Sequence, residues 1–272
     1  MHVLVSVDME GTAGVVSPDD IRPGHPEFER SRGYTTDEAN AAVRGVLSAH
    51  PDATVLVADA HADFRTLIPD RLDRRAMLVR GAPRRHAMIS GIQSGTDAVC
   101  FVGYHGRAGT ATSVLAHTIS GGVIASVRCN GRELGEFGLN AALAGRFRAR
   151  TVLATGDDTL AREAADLVPG ITTVEVKLAL GNRAAIGLHP TEACARIEQG
   201  ARDALLHPPE QIFTIDGPVD LEVEMHRPVM AELACLVPEV RLLAPTIVGR
   251  CVPDIDVALD LIEVFVALAR SI

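Results

Sequence analysis

Tryptophan is absent from this 272-residue chain, and tyrosine occurs only twice. Proteins that hold single-stranded nucleic acid stack bases on aromatic faces, so that mode of binding lacks its platforms. No Lys/Arg run is long enough to follow a phosphate backbone, and a formal charge of −9 works against a polyanion. Nucleic acid is therefore not expected as a partner. Cysteine is equally uninformative as a scaffold: Cys100, Cys129, Cys194, Cys235 and Cys251 are odd in number, far apart and without CxxC spacing. That pattern excludes a disulfide framework and a thiolate zinc knuckle and fits a reducing compartment. No basic segment precedes the opening apolar stretch, which meets Asp8 after a few residues, so no signal peptide is read there. The uncharged stretch 108–127 is rich in Thr, Ser and Gly and carries His117, unlike the ~20 apolar residues of a membrane span. A cytoplasmic protein without a membrane partner is expected. Walker A, GxSxG, HExxH and Rossmann glycine patterns are all missing.

What is present is an apolar share of 47% against 22% charged residues, the balance of a folded globular chain. Short β-branched runs alternate with longer helical patterns, which predicts an α/β fold: a mainly parallel central sheet flanked by helices, with a smaller C-terminal α/β subdomain. Strands are expected at Val3–Val7, Thr54–Ala58, Ala76–Val79, Ala98–Val102, Val123–Cys129, Thr151–Ala154 and Thr172–Val176. The Asn130-Gly131 pair after the fifth of these suits a type I′ hairpin turn. Thr35 and Glu38 have capping-box spacing and open a helix that stops near His50-Pro51. Further helices are expected at Glu136–Arg146, Asp158–Leu167, Thr191–Leu206 and Ile255–Arg270, with proline-punctuated strands between the last two. The provisional division is a metal-binding core over 1–165 and a C-terminal subdomain over 166–272, and one integrated domain is an alternative.

Three strand candidates end alike. VLVSV runs into Asp8 and Glu10, TVLVA into Asp59 and His61, and CFVGY into His105. Open α/β sheets bind ligands in the crevice beyond the carboxyl ends of their strands, so these residues are expected to converge. Glu136 follows the hairpin, and His117 lies between strands. Imidazole and carboxylate donors suit zinc, with manganese or cobalt as alternatives, and a metal pair can share a bridging carboxylate. The other seven histidines lack this placement and are read as surface or structural.

Taken together, SVDMEG (Ser6–Gly11), DAH (Asp59–His61), GYH (Gly103–His105), LAHT around His117 and GEFGLNA (Gly135–Ala141) resemble the ordered motif set of the zinc D-aminopeptidases. TTDEAN (Thr35–Asn40), TGDD (Thr155–Asp158) and Val176-Lys177 extend the resemblance, which thins after about residue 205. The resemblance implies two zinc ions per subunit. Asp8 would bridge them, Glu10 and His61 would complete one site, and His105 with Glu136 the other. His117 would be catalytic, as the family's nucleophile, while its chemistry also allows general base or acid. The implied reaction is hydrolysis of the first peptide bond of short D-peptides such as D-alanyl-D-alanine. Lys177 and Arg183 are candidates for the peptide carboxylate. A ring-like homo-oligomer, a decamer, is implied as well, and the apolar Ile255–Ala269 suits an interface helix or a core helix. Two other readings share the motifs: a dinuclear amidohydrolase or deacylase acting on another amide, and a metal-dependent binding protein without turnover.

Overall fold

The computed structural model describes residues 1–92 and 95–272. Its first sheet has seven strands in the order β3-β2-β1-β4-β7-β8-β9. These are β1 (His2–Val7), β2 (Thr54–Asp59), β3 (Ala76–Val79), β4 (Ala98–Tyr104), β7 (Arg150–Asp157), β8 (Thr172–Gly181) and β9 (Ala184–Gly187). All neighbours run parallel except β9, which returns antiparallel to β8. A parallel strand covered on both faces reads as a continuous apolar run. β4, AVCFVGY, is buried along its whole length.

The faces are covered differently. Val3, Val5 and Val7 point into a cluster with α1 (Pro26–Ala49) and α4 (Pro190–Leu206). These helices approach so closely at Gly45 that a Cβ there would overlap the Glu198 carbonyl. Leu4, Val99 and Phe101 point the other way, into a cluster with α2 (Glu136–Arg146) and a second sheet. That sheet has the order β11-β12-β10-β5-β6 and is antiparallel throughout. It is built from β5 (Ile124–Cys129), β6 (Arg132–Glu133), β10 (Val219–Met225), β11 (Arg241–Ala244) and β12 (Ile247–Val252). On it lie α5 (Pro228–Ala234) and α6 (Ile255–Ala269), and α3 (Asp158–Leu167) packs on β7 and β8. The protein is thus mixed α/β with a mostly parallel central sheet flanked by helices.

Several local expectations change. The expected Thr35–Glu38 helix start is corrected: α1 begins at Pro26, whose missing N–H costs nothing in a first turn, with the His25 side chain as cap. Thr35 and Glu38 lie on the buried face of the helix, where Thr35 donates to Ser31 O (2.9 Å) and Glu38 accepts from Ala13 N (2.8 Å). Asn130 and Gly131 do turn a hairpin, both at positive φ, but β5 belongs to the antiparallel sheet. The sheets do not part at residue 165, since β8 and β9 belong to the first and β5 and β6 to the second. One buried cluster, including Phe101, Val127 and Val223, joins them. No helix among the described residues is long and apolar enough to cross a membrane.

The order of the first sheet positions the site. The chain runs from β1 outward through β2 and β3, then crosses back to β4 on the other side of β1. The switch point between β1 and β4 leaves a crevice at their carboxyl ends, where connections diverge to opposite sides.

Candidate active site

Asp8 leaves the end of β1, His61 that of β2 and His105 that of β4. Glu136 opens α2 beside them, and His117 reaches in from the loop before β5. Asp8 and Glu10 lie beyond the strand, because β1 ends at Val7. Glu10 arrives on a turn instead, and Gly11 permits it: its N–H donates to Gly103 O (2.7 Å), and any Cβ would overlap the Tyr104 carbonyl.

Four contacts define the cluster. His61 Nε2 lies 3.4 Å from Glu10 Oε1, and His105 Nε2 lies 3.4 Å from both Asp8 Oδ2 and Glu136 Oε2. His117 Nε2 lies 3.4 Å from Glu136 Oε1. Charge-assisted hydrogen bonds close to ~2.7–2.9 Å, so these pairs stand too far apart for that. Asp8 Oδ2, Glu10 Oε2 and His105 Nε2 are buried without a hydrogen-bond partner. Two donors bound to one tetrahedral zinc at ~2.0–2.1 Å are separated by ~3.4 Å. The donor set and its spacing therefore fit a divalent cation. Asp8, Glu10 and His105 form one triple able to share an ion, and His105, His117 and Glu136 form another, whereas His61 joins through Glu10.

The imidazoles are held from behind. His61 Nδ1 meets Thr66 Oγ1 at 2.7 Å, His105 Nδ1 meets Gly106 O at 3.0 Å, and His117 Nδ1 meets Leu115 O at 2.9 Å. A ring nitrogen facing a carbonyl can only donate, so Nε2 of His105 and His117 are left to carry a lone pair toward the cluster. The two rings stack, with centroids 4.3 Å apart. Leu115 and Ile119, both in left-handed backbone at φ 53° and 60°, bracket His117. The Ile119 N–H donates to Glu136 Oε1 (2.7 Å), tying that loop to α2.

Electrostatics follow from burying three carboxylates together. Burial, then Glu10 and Glu136, push Asp8 well above the usual carboxylate range against the pull of His105. Burial would raise Glu10 too, but His61 outweighs it and holds Glu10 well below that range. For Glu136 burial is likewise overcome by His105 and His117, and the shift is downward. Burial disfavours a charged His61, yet Glu10 and the aspartates beyond it lift the imidazole to about 9. His105, though buried, is likewise raised well above the usual imidazole range by Glu136 and Asp8.

Lys177 and Arg183 do not meet the expectation of a carboxylate-binding pair. Lys177 is buried, and its ammonium donates to the carbonyls of Glu10 (2.6 Å), Thr12 (2.9 Å) and Val15 (2.6 Å). All three donors are spent on the loop that carries Glu10. Burial lowers Lys177 to about 8 against Glu38 and Asp157, and burial raises Glu38, its neighbour, to about 7. Arg183 is exposed in the β8–β9 turn and lines no wall of the site. Asp59, the acid of the DAH motif, accepts from Leu67 N (2.7 Å) and shapes the His61 loop. Asp157 of TGDD accepts from Ser113 Oγ (2.7 Å) and Val114 N (2.8 Å), fixing the loop before His117. The cluster floors an open cavity of about 330 Å³, walled on one side by Glu263 and Val266 of α6 and by Arg270 at its C-terminal cap. Nothing in the sequence pattern pointed to α6 as a wall; its apolar face is accounted for by the core.

A parallel-sheet switch point carrying a buried carboxylate–imidazole cluster, open to solvent through one cavity, places the protein in the class of α/β enzymes built around a cation-binding centre. Comparison with known proteins narrows the class. The sequence profile of the peptidase family described as D-aminopeptidase matches residues 1–264, and the chain belongs to that family. The D-aminopeptidase of Bacillus subtilis (strain 168) is 33% identical over 242 residues, covering 88% of this chain and 86% of its own. The solved Zn-dependent D-aminopeptidase DppA from Bacillus subtilis, described as a self-compartmentalizing protease, superposes with a TM-score of 0.94 at 29% identity. That superposition covers 99% of this chain and 98% of the other.

Replacing the buried Lys177 by Met strands Glu38 and three carbonyls. Lys177→Met is expected to lose about 3 kcal/mol or more of stability, read as a lowered midpoint in urea denaturation.

Proposed function

We propose that the cluster holds two zinc ions and that the chain is a metallo-aminopeptidase removing the first residue of short D-peptides such as D-alanyl-D-alanine. The observation that carries this reading is the set of buried, unpartnered donor atoms Asp8 Oδ2, Glu10 Oε2 and His105 Nε2, lying among four imidazole–carboxylate contacts of 3.4 Å. Asp8, which shares a candidate triple with Glu10 and His105, is assigned as the shared ligand by similarity to the family's motif. Glu10 with His61 serves one ion, and His105 with Glu136 the other. Three carboxylates offset most of the charge of two divalent cations, which relieves the mutual repulsion that burial imposes. Zinc bound there supplies Lewis acidity, polarising the scissile carbonyl and stabilising the charge that develops on its oxygen. Manganese or cobalt would suit the same donors.

His117 is the residue free to act on substrate. It is the most exposed member of the cluster, with 23% of its side chain accessible, and it lines the cavity. Its Nδ1–H is committed to Leu115 O, so Nε2 can attack the carbonyl carbon or take a proton from water and return it to the leaving amine. The stack on His105 and the bracketing left-handed turns hold that nitrogen in place. The five cysteines are unpaired, in keeping with a reducing cytoplasm. A ring-like homo-oligomer, a decamer, is proposed by similarity to the self-compartmentalizing relative. Leu178, Leu180 and Ile186 of the β8–β9 hairpin, 47–65% exposed, offer apolar surface for its contacts.

Zinc-loaded protein is expected to release amine from D-alanyl-D-alanine but not from L-alanyl-L-alanine. A chelator should abolish release, and His117→Ala should lower it by about a thousandfold or more with metal content retained. Intact peptides with two equivalents of metal bound would move the reading to another amide. Metal affinity carries its own signature. Metal-free His61 holds a proton up to about pH 9, and a cation must displace it. His105 is raised as well, so affinity is expected to keep rising with pH to about 9 and beyond, with proton release on binding visible by calorimetry in buffers of different ionisation enthalpy. Light scattering coupled to gel filtration should return a mass several times 28.8 kDa, and a monomer would end the ring proposal.

A further inference from the structure

A second cavity of about 350 Å³ adjoins the first and shares Phe64, Ala82, Met88, Ile119 and Glu263 with it. The shared residues form a partition. On the near side lie Asp8, Glu10, His61, His117 and Glu136. On the far side the chamber is closed by Pro83 and Ala87 and roofed by Leu259, Val264 and Ala267 of α6. Its walls are largely apolar, with Arg84, His86, Asn140 and Asp260 also among them, whereas the first chamber is floored by acids and imidazoles. Two adjoining chambers that differ in this way can divide a peptide by its chemistry. The residue whose carbonyl is attacked must keep both its ammonium and that carbonyl among the polar groups. The next residue lies beyond the scissile bond, about 3.5 Å further along the chain, and is the first able to leave the polar chamber.

Resting on the aminopeptidase reading above, we propose that the Leu259–Ala267 face of α6 and the facing Phe64–Met88–Ile119 wall form a specificity pocket for an apolar side chain on the second residue of the peptide. The pocket selects the leaving residue by burying its side chain, while the first residue stays small and close to the cluster. Ala267 and Val264 sit on the roof, away from every residue of the cluster, and both are exposed. Their substitution changes the shape of the chamber without touching the core.

The test compares kcat/KM of the zinc-loaded protein on D-alanyl-glycine, D-alanyl-D-leucine and D-leucyl-glycine, for wild type, Ala267→Phe and Val264→Ala. Wild type is expected to favour D-alanyl-D-leucine over D-alanyl-glycine by roughly tenfold or more, as burial of one aliphatic side chain provides. Ala267→Phe should remove most of that preference by filling the chamber, with the rate on D-alanyl-glycine within about twofold of wild type. Val264→Ala should keep D-alanyl-glycine unchanged and shift the optimum toward larger second residues. Equal cleavage of the glycine and leucine peptides, or an equal loss on both in Ala267→Phe, overturns the pocket while leaving the aminopeptidase reading intact. A preference that appears only for D-leucyl-glycine and vanishes in Ala267→Phe overturns the assignment to the second residue. Cleavage of none of the three peptides overturns the aminopeptidase reading, and the pocket with it.

Discussion

Three carboxylates, Asp8, Glu10 and Glu136, are buried to within 2–3% of full enclosure at a single point of the fold. Burying one ionised carboxylate without a partner is costly, and placing three together multiplies the cost through mutual repulsion. Much of the surrounding structure answers this constraint. Imidazoles stand at ion-pair distance from each acid, and each imidazole is itself held from behind by a carbonyl or hydroxyl. Atoms that point inward unsatisfied would be a defect in an ordinary core. Here they mark where a cation fits.

The scaffold around the cluster is made from backbone and buried polar side chains, not from its ligands. Lys177 reaches from β8 across the sheet end to hold three carbonyls of the Glu10 loop, and Glu38 on α1 holds its Ala13 N–H. Asp157, at the end of β7, grips the strand-to-loop segment that leads to His117. Strands on both sides of the switch point thus brace the loops that emerge between them. Neither loop is a helix or a strand, and beyond a few backbone turns these side chains supply hydrogen-bond partners.

Reading the sequence located the parallel strands because burial on both faces leaves a recognisable apolar run, as in VLVSV and CFVGY. It also brought Asp8, Glu10, His61 and His105 into one group, because the carboxyl ends of such strands face a common crevice, while His117 and Glu136 joined them through the family's motif set. Other features left no local trace. β5 carries the same kind of residues as a parallel strand, and only its partners β10 and β6 make it antiparallel. Thr35 and Glu38 match a cap by spacing, yet their oxygens are used in tertiary contacts inside a helix that Pro26 had already begun. Lys177 reads as a surface cation, since nothing near it in sequence shows that three carbonyls some 160 residues earlier are waiting for its ammonium. α6 shows an apolar face that suits core, interface or pocket equally, and only the fold brings it to the site.

The position of α6 in the chain has a consequence for how the molecule is made. All six residues of the cluster lie between Asp8 and Glu136, and the helix that walls their cavity is the last element, Ile255–Ala269. During synthesis the donor groups leave the ribosome long before the wall that encloses them. Emergence of the donor groups and closure of the chamber are therefore separate events in the life of the chain. An open bowl comes first, and a walled chamber exists only once α6 has been made.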